Sequence, residues 1–206
     1  MGACMLKHFK QFIDGKFDLY QFFGKRLFDF LFSIISIIIL SPLIILISIL
    51  IRLFDPGPLF FKHKRIGLNE KIFEMYKFRS MPVGTKEISS DKISKVELTW
   101  VGKLIRRTNI DELPQLINIL KGDMSIVGPR PALLTQKDLI QSRRQNGTIS
   151  YRPGLTGLAQ VSSYTGMSVH KKVQFDEEYI NSISLKFDLI IIFKTFIYLL
   201  KPPPIY

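Results

Sequence analysis

Residues 30–51, FLFSIISIIILSPLIILISILI, form an uncharged and almost wholly apolar run. A helix of about 20 such residues reaches across the hydrocarbon core of a bilayer. No small-residue cleavage site follows it, so it does not read as a removed signal peptide. Ser41-Pro42 falls near its middle. Pro42 has no N–H for the Ile38 carbonyl, and it disfavours helical geometry at Ser41, so a kink is expected. The hydroxyls of Ser36 or Ser41 are placed to satisfy part of the freed backbone. Lys25 and Arg26 flank one end; Arg52, Lys62, Lys64 and Arg65 flank the other. A spanning helix usually has asymmetric basic flanks, whereas a hairpin that enters and leaves on one face has both ends basic. Pattern alone leaves the two readings open.

Outside this run the chain is basic: 29 Lys and Arg against 17 Asp and Glu give a net charge of +12. Such a balance calls for a polyanionic partner. Apolar residues make up 47% of the chain and gather towards its two ends, which favours anionic membrane lipids over nucleic acid. The single Cys4 excludes an intramolecular disulfide, and His8, His63 and His170 lack metal-ligand spacing. Residues 1–24 alternate aromatics with lysines and read as a leader, either interfacial or partly ordered. The chain shows no internal repeat and no glycine fingerprint of the dinucleotide or P-loop kind.

After the Asp55-Pro56-Gly57-Pro58 turn, Leu59–Arg65 and Lys71–Phe78 read as the strands of a β-hairpin. The hairpin runs into Lys77-Phe78-Arg79-Ser80-Met81 and then a polar loop, Pro82–Lys95. Thr99–Arg107 is expected to be helical. It leads into Thr108–Pro131, TNIDELPQLINILKGDMSIVGPRP, which concentrates the candidate chemistry. Asp111 and Glu112 precede an apolar pattern at helical spacing (Leu113, Leu116, Ile117, Leu120), with Pro114 suited to a first turn and Gly122 to a C-cap. An acid pair there complements a helix dipole. With Arg106 and Arg107 just upstream, it equally suits phosphate and a divalent cation. Pro129 and Pro131 hold Arg130 extended, presenting a planar two-pronged donor that fits phosphate. Pro131–Gly147 is expected to be a helix. Arg152 stands beside the glycine turns at Gly154 and Gly157, where backbone can approach a ligand. Asp176-Glu177-Glu178 is a second acidic cluster, read as a helix surface, a metal ligand or an arginine partner. Leu185–Leu200, apolar but broken by Lys186, Asp188 and Lys194, is expected to lie in the interface or pack on the domain before Pro202-Pro203-Pro204 ends it.

Taken in order from about Lys25 to Tyr206, these pieces resemble the monotopic phosphoglycosyl transferases, the bacterial sugar transferase family that starts lipid-linked glycan assembly. The resemblance rests on the basic-flanked apolar segment with Ser41-Pro42, Lys77-Phe78-Arg79, and Arg106 ahead of Asp111-Glu112-Leu113-Pro114-Gln115. It also rests on Lys121-Gly122-Asp123-Met124-Ser125, Gly128-Pro129-Arg130-Pro131, and Arg152-Pro153-Gly154 through Gly157-Leu158-Ala159-Gln160. It implies transfer of a sugar 1-phosphate from a UDP-sugar to polyprenyl (undecaprenyl) phosphate with release of UMP. It further implies Asp111 as the nucleophile of a covalent aspartyl phosphosugar intermediate, and Glu112, with Asp111, as ligand to Mg²⁺. By the same resemblance Arg106 would meet a phosphate at the membrane, and Arg130 and Arg152 would hold nucleotide or phosphate oxygens. Lys77 and Arg79 would be further substrate-binding residues.

The family also implies that residues 25–54 form a re-entrant helix-break-helix with its break at Ser41-Pro42. Residues 55–206 would then be one catalytic domain on the cytoplasmic face of the bacterial inner membrane. The expected fold class is therefore α+β and mainly helical: membrane hairpin, small β-hairpin, and interfacial amphipathic helices packed on one domain. The chain resembles a minimal catalytic unit, without the extra transmembrane domain of larger relatives. It departs from many relatives after Val161, where Ser162-Ser163-Tyr164-Thr165-Gly166 stands in place of Asn-Gly. The sugar therefore stays open, as does a homo-oligomer. The competing readings are a membrane-associated glycosyltransferase that releases UDP and a basic membrane-anchored interaction module.

Overall fold

The computed structural model describes residues 19–83, 85, 98–162 and 166–200. Most of the leader, most of the Pro82–Lys95 loop, residues 163–165 and the proline-rich end lie outside the described residues. Helix α1, Lys25–Phe54, runs straight on from a wide-wound turn at Tyr20–Gly24. It is the one described helix long and apolar enough to cross a membrane. The helix continues through Pro42 instead of stopping there, so the break expected at Ser41-Pro42 does not interrupt it. The Ser41 hydroxyl donates to the Ile38 carbonyl at 2.8 Å, replacing the N–H that proline lacks. Ser33 and Ser48 likewise donate to the carbonyls four residues back, a pairing that tends to bend helices.

The buried residues of α1 are Asp29, Ser33, Ile47 and Ile51. At about 100° per residue these fall on one face, five turns from first pair to second. Asp29 accepts from the Ile126 N–H at 2.9 Å and from the Ser125 hydroxyl at 3.0 Å, while Arg26 donates to the Ile119 and Leu120 carbonyls. At the other end Ile47 and Ile51 pack with Phe78, Val101 and Ile105. Both ends of α1 thus pack against residues that follow it in the chain, the first near Ile119 and Ile126 and the second near Phe78 and Val101. Between and around them Leu31, Ile35, Ile38, Ile39, Ile45, Leu46 and Ile49 stay exposed, an apolar surface of the kind that calls for lipid or protein cover.

The expected hairpin forms from β1 (Phe60–Ile66) and β2 (Ile72–Phe78), antiparallel with Phe60 opposite Phe78 and Ile66 opposite Ile72. Asn69 and Glu70 turn it with positive φ. A short strand β4 (Ala132–Leu133) adds to the other edge of β1. That strand corrects the helix expected from Pro131: helix α4 begins only at Lys137 and ends at Gln145, because Arg65 and Ile66 claim the preceding backbone. Helices α2 (Trp100–Arg107) and α3 (Gln115–Lys121) flank a single 3₁₀ turn, Ile110–Glu112. After α3, Gly122 closes the helix at φ 90° as expected.

Strand β3 (Ser125–Val127) pairs in parallel with β5 (Gly154–Thr156). Gly128 and Gly154 lie so close that a Cβ on either would overlap the other's backbone. Helices α5 (Leu158–Ser162), α6 (Val169–Asn181) and α7 (Leu185–Leu199) complete a mainly helical α+β fold. The larger core gathers Phe73, Leu116, Ile119, Met124, Val127, Ile180 and Ile191. Of the two expectations for its stretch, helix α7 meets packing on the domain. It buries Asp188 and Ile191 and leaves Leu189, Phe193, Phe196 and Ile197 exposed.

Candidate active site

Alternation along β2 puts Phe73, Met75 and Lys77 on one face, and the first two are core residues. Lys77 is the last of that row before the strand ends. Its partner arrives from α2, which Thr99 caps by accepting from the Gly102 N–H. Asn109, in the left-handed region at φ 54°, turns the chain sharply into the 3₁₀ turn that carries Asp111 and Glu112. The acid pair therefore sits beside the start of α3 as expected, four and three residues before Gln115, with Pro114 at the cap position.

Asn118 of α3 fixes this arrangement. Fully buried, it accepts from the Tyr76 N–H at 3.0 Å and donates to the Glu74 carbonyl at 2.7 Å, taking the place of a neighbouring strand on the free edge of β2. The helix that follows the acid pair is thereby riveted to the strand that carries Lys77.

Lys77 Nζ lies 2.6 Å from Glu112 Oε1 and 3.7 Å from Asp111 Oδ2. An Arg130 Nη reaches the same Glu112 oxygen at 3.4 Å. Arg106 donates through Nε to the Ser80 hydroxyl at 2.8 Å, and its charge is felt at Asp111. Asp111 is buried, at 7% exposure. Burial pushes its carboxyl above the ordinary value; Lys77 opposes that, Glu112 adds to it, and Arg106 and Arg130 oppose it more weakly. For Glu112 burial also favours the neutral form. The charges and hydrogen bonds of Lys77 and Arg130 outweigh it and hold Glu112 down at about 2. The two neighbouring acids are thus shifted in opposite directions. With Lys77, Arg106 and Arg130 around two carboxylates, the site has a surplus positive charge for phosphate.

The remaining residues singled out in the sequence lie apart from this cluster. Arg79 is buried against the Asp55-to-Pro58 turn: it donates to the Asp55 carbonyl and pairs with the Asp55 carboxylate at 3.3 Å. Arg152 donates to the Gly122 carbonyl at 2.9 Å, at the far end of α3 beside Arg26. Ser41 and Pro42 lie in the exposed middle of α1, with the hydroxyl bond already described. Asp176 is buried and takes Arg143 as its partner.

Sequence reasoning did not find Ser80, Asn118 or Arg143. Asn118 had a signal, a polar residue among the buried positions of an apolar helix. A second polar network also went unread. Asp188, at 0% exposure, accepts from Tyr20, Lys25 and Tyr179 and ties α7 to the start of α1.

As to metal, among the described residues no group of three or more His, Cys, Asp or Glu is gathered. The two adjacent carboxylates nonetheless fit Mg²⁺. It takes hard oxygen donors and is commonly bound by one or two carboxylates together with substrate phosphates and water.

An acid pair among cations has the chemistry of an enzyme that works on phosphate groups, and the exposed apolar helix is long enough to anchor it to a membrane. The chain belongs to the bacterial sugar transferase family, whose pattern it matches over residues 20–202. It is 39% identical over 189 residues to the exopolysaccharide production protein ExoY of Sinorhizobium fredii, covering 84% of this chain and 83% of that protein. It is 39% identical over 194 residues to the undecaprenyl-phosphate galactose phosphotransferase of Salmonella typhimurium, covering 84% of this chain and 40% of that enzyme. The UDP-N-acetylgalactosamine-undecaprenyl-phosphate N-acetylgalactosaminephosphotransferase of Aeromonas hydrophila is 40% identical over 182 residues, with 84% and 43% covered. The chain thus spans most of the first relative and less than half of the other two.

Proposed function

We propose that the protein transfers a sugar 1-phosphate from a UDP-sugar to undecaprenyl phosphate, releasing UMP and forming undecaprenyl diphosphate sugar. The observation that carries this reading is the buried Asp111–Glu112 pair bonded to Lys77 and faced by Arg130. Family membership supports it, as do the names of the Salmonella and Aeromonas relatives.

In the first step an Asp111 oxygen attacks the phosphorus that bears the sugar. The bond to the bridging oxygen breaks, and that oxygen leaves with UMP. The aspartyl phosphosugar is then attacked by an oxygen of the lipid phosphate, which frees the Asp111 carboxylate. Such covalent catalysis divides one difficult transfer into two easier ones. Lys77 keeps Asp111 and Glu112 from repelling each other and lowers the cost of ionising Asp111. Arg106 and Arg130 bind phosphate oxygens and stabilise the charge they carry as the bonds change. Arg152, further out, has the chemistry to meet nucleotide or phosphate oxygens, whereas Arg79, buried against Asp55, holds the turn that follows α1. Glu112 and Asp111 would hold Mg²⁺, which when bound neutralises diphosphate charge.

Topology follows from the same proposal. The lipid phosphate and the water-soluble donor must both reach Asp111, so the domain lies against the cytoplasmic face of the inner membrane. Both ends of α1 rest on that domain, which supports a re-entrant segment bent at Ser41-Pro42 over a span ending on opposite sides. Trp100 of α2, packed on Phe54 at 5.8 Å, and the exposed face of α7 suit the interface.

The deciding measurement incubates the protein with UDP-sugars and undecaprenyl phosphate and identifies the released nucleotide. UMP is expected; UDP would replace this reading by a direct glycosyltransferase. Asp111→Asn is expected to abolish release, and turnover retained by a folded variant would remove Asp111 as nucleophile. Chelation is expected to stop UMP release, with recovery on adding Mg²⁺. Full activity in chelator would exclude the metal.

A further inference from the structure

Arg130 stands 55% exposed, on a turn whose two prolines supply no N–H to anchor it. The anchoring comes instead from behind. Arg143 of α4, only 5% exposed, donates to the Arg130 carbonyl at 2.8 Å. Its Nε and its other terminal nitrogen grip a single oxygen of Asp176 on α6, at 2.9 and 2.6 Å. Arg65 of β1 adds a longer bond, 3.4 Å, to the next carbonyl, that of Pro131.

A buried ion pair used only to join two helices needs no third contact, and a hydrophobic pair would join them as well. Here the guanidinium spends its remaining edge on the main chain of a residue that reaches Glu112.

We propose that Arg143, locked in place by Asp176, is a positioning residue that sets the Gly128–Pro131 turn so that Arg130 faces the acid pair and the donor's phosphates. This deepens the transferase reading and rests on it for the role of Arg130.

The test uses the full chain in detergent or nanodiscs. Arg143→Lys keeps a charge for Asp176 but replaces the fork that reaches both partners by one nitrogen on a shorter stem, so the bond to the Arg130 carbonyl is expected to weaken while the variant folds. Three results are expected. KM for the UDP-sugar rises about tenfold while kcat changes less. In a cycle with Arg130→Ala, the double variant is no worse than Arg130→Ala alone. Amide exchange quickens at the backbone of residues 128–133 and not across α4 and α6. The proposal is overturned if the two losses multiply, or if exchange quickens evenly over both helices, since Arg143 would then act only as a brace. If Arg130→Ala leaves UMP release unchanged, it is the role of Arg130 in the reaction that fails. The exchange pattern still decides whether Arg143 holds the turn.

Discussion

At the scale of single residues, Asp111 and Glu112 are neighbours in sequence yet opposite in charge behaviour, and the difference lies in what each touches. Glu112 has Lys77 at 2.6 Å and Arg130 at 3.4 Å on one oxygen, whereas Asp111 is the more buried and has Lys77 only at 3.7 Å. A carboxylate that must be ionised to attack loses rate as pH falls through its pKa. Because burial raises that of Asp111, the acid limb of kcat/KM should lie above the ordinary aspartate value of about 3.9. Lys77→Met removes the nearest cation from both acids, so the limb should move to higher pH by about one unit or more. The apparent value belongs to the coupled pair. A pH–rate profile of UMP release measures it, and a limb unmoved or shifted to lower pH would contradict the role given to Lys77. The acid pair was legible in the sequence because two adjacent carboxylates ahead of an apolar helix are conspicuous. Lys77 entered only through family resemblance, since its partner lies 35 positions away.

Among the elements, α2 sets the position of Arg106 by how closely it lies on the chain that leaves β2. Gly102 allows that approach: a Cβ there would overlap the Ser80 carbonyl, one residue type too many for the space. Gly102→Ala should therefore push α2 outward, break the bond from Arg106 to Ser80, and cost about 1–3 kcal/mol in thermal or denaturant unfolding. An unchanged stability together with unchanged UMP release would show that the helix shifts freely. The same closeness explains what the sequence did and did not reveal. The hairpin was legible from its β-rich runs and turn residues, and α2 and α3 from their spacing and caps. Strands β3 and β5 were not, being three residues each with no period to detect, and they pair across an intervening helix and turn. The overlong helix read from Pro131 failed for a related reason: the edge of β1 takes up Ala132 and Leu133. The Asn118 bonds replace a strand by a side chain 42 and 44 positions distant, which no local pattern encodes.

For the whole molecule, the question is how an excess of positive charge and a greasy helix are arranged about one site. With Cys4 replaced, cysteines introduced near Lys25 and near Lys62 should react with an impermeant reagent from the same side of sealed vesicles. Labelling from opposite sides would make α1 a true span and would end the re-entrant reading. The contacts of α1 also bear on how the protein can be handled. Asp29 receives the Ile126 N–H at the start of the inner parallel pair, and Ile47 and Ile51 each contribute about 1.5–3 kcal/mol by burial against the domain. Cutting the chain at Asp55 would leave an unpaired strand end and an open groove beside Phe78 and Ile105. Trimming the greasy segment is therefore expected to cost the remainder its stability as well as its place at the membrane, which thermal unfolding of the truncated chain would measure. That segment is a wall of the house, not its mooring rope.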